Sequence, residues 1–127
     1  PHPIFEVIYP QDRIRELTFE IVDGDQSILP GLAVELVPGH SPGCQAVIVD
    51  TPEGKAAITG FCSITGNFDV PANVKEIASP MATYPAIAPG IHTDLFQAYE
   101  SALKLKEMNA IIIPSHDPEL AFKEQIP

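Results

Sequence analysis

The stretch ELVPGHSPGCQAVIVDT, residues 35–51, decides how this chain is read. One apolar run, LAVELV at 32–37, ends in Pro38-Gly39, and a second, QAVIVD at 45–50, begins just after Pro42-Gly43. Both are rich in β-branched residues and bounded by turn formers, the pattern of strands. His40 stands between them on a sharp loop, and strand-end loops on a rigid sheet are where sites tend to be built. It reads either as a loop histidine bonded to a backbone carbonyl or as half of a metal site.

Working outward, KAAIT at 55–59 follows through TPEG and predicts a second strand hairpin. FEIVDGDQSI alternates and then turns at Asp23-Gly24, another hairpin signal. Pro10 followed by QDRIREL predicts a short helix with proline near its first position, and NVKEIA predicts a helical turn. The main helix is predicted within IHTDLFQAYESALKLKEM, residues 91–108. Thr93 is its expected N-cap, Asp94 suits the first turn, and Lys104 and Lys106 suit the negative end of the dipole. Leu95, Phe96, Tyr99, Ala102, Leu103 and Met108 repeat at helical spacing and are its expected core face. AIIIP at 110–114 predicts a buried strand that runs straight into SHDP.

Composition narrows the function classes. A chain of 127 residues predicts one domain. The formal net charge of −10, from 7 basic and 17 acidic residues, excludes nucleic acid or an anionic membrane surface as partner, because no cationic surplus exists to neutralise phosphates. No apolar run approaches the ~18 residues of a membrane span. Cys44 and Cys62 do not make a disulfide framework, which points to a reducing, cytoplasmic setting. The opening PHPIFEVIYP reads as the interior of a protein, so the expectation is a single domain, 1–127, from the C-terminal part of a longer one.

Three strand-like runs end in small-residue loops, LVPGH, ITGFC and IIPSH, and two of them carry a histidine. His116, followed by Asp117, reads as part of a capped turn or as a second ligand. A catalytic zinc takes three protein ligands and a water. Near the ITGFC loop the ligand-capable residues are Cys62 and Asp69, and no H-x-H or H-E-x-x-H pair occurs. His2, at the chain start, and His92, just before the main helix, are weaker candidates. The residues alone therefore supply two ligands and an incomplete site.

Taken in order, PGHSPG, ITGFCSITGNF, PGIHTDLFQAYES and IIPSHDPE resemble the second half of a metallo-β-lactamase-fold hydrolase, in its N-acyl-homoserine-lactonase-like branch. The resemblance covers nearly the whole chain. It implies an α/β (α+β) fold, half of an αββα sandwich, with a mixed sheet and helices packed on one face. It implies a zinc or other divalent-metal hydrolase acting on a lactone or ester bond. By the same resemblance His40 completes the first metal site and His116 belongs to the second. The family's H-x-H-x-D-H cluster is absent here. The position of its bridging aspartate falls on Phe61 if the glycine is the anchor, and on Gly60 if Asn67-Phe68 is. In the second register Ser63 falls where such lactonases carry a substrate-polarising tyrosine. Cys62 could serve as a displaced ligand, since a thiolate suits zinc.

Without the missing cluster, the isolated chain is expected to be inactive and to hold metal weakly. A small-molecule substrate is expected once the N-terminal half completes the site. A split sandwich would leave an apolar sheet face bare, which predicts a homodimer or pairing with the missing half. The alternative is a non-catalytic, homo-oligomeric half-fold that has lost its metal site.

Overall fold

Three of the strands follow directly from the runs around His40. The computed structural model describes residues 14–71, 73 and 85–124. Strand β1 (Gln26–Leu29) pairs antiparallel with β2 (Leu32–Leu36), β2 with β3 (Gln45–Thr51), and β3 with β4 (Gly54–Ile58). Helices α1 (Thr65–Phe68) and α2 (Leu95–Glu107) lie between β4 and β5 (Ile111–Ile113), which pairs parallel with β4. The result is a mixed five-stranded sheet in the order β1-β2-β3-β4-β5 with helices beside it, the α/β class expected. A 3-10 turn, Pro118–Phe122, follows. His2, most of the helix expected after Pro10, and NVKEIA beyond Asn73 lie outside the described residues; Ile14 and Arg15 are helical.

The sheet is apolar on both faces. Across its strands Ala33, Ile48, Ala57 and Ile112 stand in register, and they pack with Val37, Phe61, Phe68, Ala102 and Leu105 in the core. One residue along, Val34, Val47, Ile58 and Ile113 form a second row that strand alternation turns to the other face. Ile58 in that row is 40% exposed, and its three neighbours are half-buried.

The hairpin expected at Asp23-Gly24 is not formed. Residues 18–23 make no strand, and β1 pairs forward through the Pro30-Gly31 turn, where Gly31 adopts φ 79°. Side chains hold the earlier segment instead. Gln45 Nε2 donates to the carbonyls of Val22 (3.3 Å) and Gly24 (3.0 Å), and the Asp25 carboxylate accepts the Leu36 amide at 2.6 Å.

Two expectations for α2 are also corrected. Its N-cap is Asp94, whose carboxylate accepts the Gln97 amide at 3.0 Å, whereas the Thr93 hydroxyl donates to Gly39. Its buried face is Ala98, Ser101, Ala102 and Leu105, at i, i+3, i+4 and i+7. Phe96 is 80% exposed and Leu95 52%. Close approach selects small residues over bulk here. A Cβ on Gly39, at φ 122°, would lie 2.3 Å from the Ala98 nitrogen, so the hairpin loop rests on the helix backbone itself. Tyr99 and Met108 pack at the core's margin.

Lys104 joins α2 to the sheet, with Nζ 3.0 Å from Asp25 and 2.7 Å from Glu35. The Leu36 amide, then Lys104, holds the Asp25 carboxyl below its ordinary 3.8. A lowered folded-state value means that this stabilisation is present above 3.8 and fades as pH falls through the folded value. Asp25→Asn should therefore be less stable than the parent at neutral pH, with the gap closing in acid below 3.8. Urea unfolding across that range checks it; a gap that stays constant would contradict it.

Candidate metal centre

His40 is placed by its loop. Pro38, Gly39 and His40 leave β2, and the Val37 amide donates to the Cys44 carbonyl at 2.8 Å, which closes the loop before β3. The Gly39 carbonyl accepts three donors from the start of α2: the Thr93 amide at 2.7 Å, the Asp94 amide at 3.1 Å and the Thr93 hydroxyl at 3.0 Å. The Ser101 hydroxyl donates to the Pro38 carbonyl at 2.6 Å. The imidazole then bonds through Nδ1 to the Ile91 carbonyl at 2.9 Å. A carbonyl can only accept, so Nδ1 carries a proton, and in the neutral ring this leaves Nε2 as the nitrogen open to a metal.

His116 is placed by the ends of β4 and β5. Thr59, wholly buried, puts its hydroxyl 2.8 Å from Ser63 Oγ and 3.0 Å from Ser115 Oγ, and it accepts the Ser115 amide at 3.2 Å. The Thr59 amide donates to the Ile113 carbonyl at 3.2 Å and the His116 amide to the Ser63 carbonyl at 3.0 Å. These bonds lace the two strand ends together and bring Cys62 Sγ to 3.3 Å from His116 Nε2. Both side chains line an open cavity of about 390 Å³ with Ser63, Ile64, Asn67, Gly90 and Ile91. Ile91 also borders the recess that holds His40, so the two histidine neighbourhoods share a lining residue.

The other candidates lie elsewhere. Asp117 caps two elements: its carboxylate accepts the Thr65 amide at 2.7 Å, the Thr65 hydroxyl, and the Glu119 amide at 2.9 Å. These bonds, the Thr65 hydroxyl's first, hold its carboxyl below the ordinary carboxylate range. Asp69 lines a different depression with Lys106 and Asn109. His92 Nδ1 bonds the neighbouring Pro89 carbonyl at 2.7 Å. Ser63 is 2% exposed, its hydroxyl turned to Thr59. Gly60 has φ 70°, and a Cβ there would lie 2.0 Å from the Gln45 carbonyl oxygen. Phe61 is 4% exposed and its ring lies 6.4 Å from that of Phe68. Among the described residues, no three His, Cys, Asp or Glu side chains gather into a metal-binding group.

Comparison with known proteins meets this geometry. An N-acyl homoserine lactonase of Bacillus thuringiensis is 36% identical over 50 residues, 39% of this chain and 20% of that protein. One from Bacillus cereus is 40% identical over 35 residues, 28% of this chain and 14% of its own length. A solved N-acyl homoserine lactone hydrolase, with the product N-hexanoyl-L-homoserine at its catalytic metal centre, matches with a TM-score of 0.65 and 28% identity. The chain is similar to these lactonases in fold and in part of its sequence. The match to that structure covers 87% of this chain and 40% of the lactonase. A quorum-quenching N-acyl homoserine lactone hydrolase matches equally, at a TM-score of 0.65 and 28% identity. No protein-family model matches the chain.

Thr59, Gly39 and Ile91 were missed by sequence reasoning. Repeated hydroxyls at the two strand ends, Thr59, Ser63 and Ser115, were the available signal for the first. The Phe61 environment makes a test. Phe61→Asp places a carboxylate in the core and should lower stability by more than about 3 kcal/mol. Denaturant unfolding measures it, and a fully stable variant would show that residue 61 faces the cavity.

Proposed function

We propose that this chain is part of a metal-dependent hydrolase that opens lactone rings, with N-acyl homoserine lactones as the substrate class. The observation that supports the reading is that His40, bonded to the Ile91 carbonyl, and the Cys62–His116 pair, whose cavity Ile91 also lines, stand at strand-end loops of a lactonase-like sheet. The chain spans about a fifth of the curated relatives it matches and two fifths of the solved ones, and on this reading further ligands would come from outside it.

The donor chemistry fits a divalent cation. Two ligands of one tetrahedral zinc stand ~3.5 Å apart, from Zn–S near 2.3 Å and Zn–N near 2.05 Å. The Cys62–His116 separation is 3.3 Å. Zinc, when bound, supplies Lewis-acid polarisation of the lactone carbonyl and a nucleophile near neutral pH. The chain's own residues position that chemistry: the Ile91 carbonyl orients the His40 ring, and the Thr59 hydroxyl cluster holds the 60–63 loop against His116. The cavity beside them, walled by Ile64 and Ile91, would take the substrate's acyl side.

The apolar row Val34, Val47, Ile58 and Ile113 would pack against a second layer from the rest of the protein, or from a second copy of the chain. Both cysteines are free thiols, which suits a cytoplasmic setting. Among the described residues no helix is long and apolar enough to cross a membrane.

The reading is tested on the full-length protein by following lactone opening with a pH-stat across acyl lengths. His40→Ala and His116→Ala should each lower kcat/KM more than about 100-fold, beyond what loss of an outer-shell partner of a metal ligand costs. Unchanged rates in both variants, or no lactone opening by the parent protein, would overturn it.

A further inference from the structure

We infer that Cys62 binds the metal as a thiolate beside His116, so that sulfur takes the place of a carboxylate in this centre. This rests on the metal-dependent reading above. Neither of the two preceding residues lines the cavity. At Gly60 the positive φ and the Gln45 carbonyl leave no room for any side chain, and Phe61 is committed to the core. Cys62 is the first residue past β4 whose side chain lines the cavity. Its sulfur already stands beside His116 at the separation of two ligands on one ion.

The other acids do not compete. Asp117 is held by Thr65 and Glu119, and Asp69 faces another depression. Cys62 and His116 are the two cavity-lining residues with metal-seeking side chains. The second cysteine is set apart: Cys44 is 8% exposed, its thiol donates to the Gly60 carbonyl at 3.4 Å, and burial pushes its pKa up. Coordination forms one sulfur–metal bond and releases the Cys62 thiol proton to solvent. A sulfur donor biases the centre towards zinc or cobalt and away from magnesium or calcium, which seek oxygen.

Cobalt(II) titration of metal-free full-length protein tests this by absorbance. A near-ultraviolet sulfur-to-cobalt charge-transfer band should saturate at stoichiometric cobalt, vanish in Cys62→Ser and persist in Cys44→Ser. No cobalt binding, no such band, or a band that survives in Cys62→Ser overturns the assignment. Alkylation of the unaltered protein gives a second arm that needs no variant. Stoichiometric zinc should slow iodoacetamide modification of Cys62 at least tenfold, and equal rates with and without zinc would also overturn it. Lactone hydrolysis by the same cobalt protein separates the two claims. Hydrolysis without the band removes the thiolate and leaves the hydrolase, whereas the band without hydrolysis does the reverse.

Discussion

The Gly39 carbonyl is the joint of this structure. It accepts two amides and a hydroxyl from Thr93 and Asp94, so the tip of the β2–β3 loop and the first turn of α2 share one oxygen. The two amides belong to the helix's N-terminal approach, where orphan donors need acceptors. A carbonyl from a distant loop satisfies them only if the backbones nearly touch, and that contact requires glycine at position 39. The choice of Ala98, Ser101 and Ala102 on α2, the orientation of the loop and the reach of His40 to the Ile91 carbonyl all follow from it. A geometry that binds a loop this tightly suits a ligand whose position must not drift.

Thr59 plays the corresponding part at the other strand ends. A buried threonine at the end of β4 would leave a polar group without water, and such groups are kept only when bonded. Here Ser63, Ser115 and the Phe61 carbonyl surround it. The cluster therefore stabilises a register between the 60–63 loop and the 115–116 turn, not a nucleophile. It sets the distance between Cys62 and His116. The two joints differ in kind, one a carbonyl with three donors and the other a knot of hydroxyls, but each turns a flexible loop into a fixed donor.

Much of the sheet was legible because β3 and β4 carry nearly continuous β-branched and alanine runs closed by TPEG, and β5 is three isoleucines before a proline. The resemblance named the histidines because PGHSPG and SHDP are local. What was not legible depends on distance in sequence. Thr93 looks like a cap from its neighbours alone, and only the approach of Gly39 shows that its hydroxyl is engaged elsewhere, leaving Asp94 to cap. Leu95 and Phe96 look like core by hydropathy, but a helix touched this closely by a loop buries its smallest face. Asp23-Gly24 looks like a hairpin turn because nothing nearby reveals that Gln45 and Asp25 hold that backbone by side chains.

The two registers for the missing aspartate show the same limit from the side of chemistry. Counting residues left Gly60 and Phe61 open, as if one side chain had simply been exchanged for another. Gly60 is closed to any side chain by the Gln45 carbonyl, and the Phe61 ring lies in the core at the edge of the recess that holds His40. The backbone path delivers residue 62 to the place beside His116. The proposed centre would start on that path from one sulfur and one nitrogen of this chain, and a sulfur donor would bias its choice of metal.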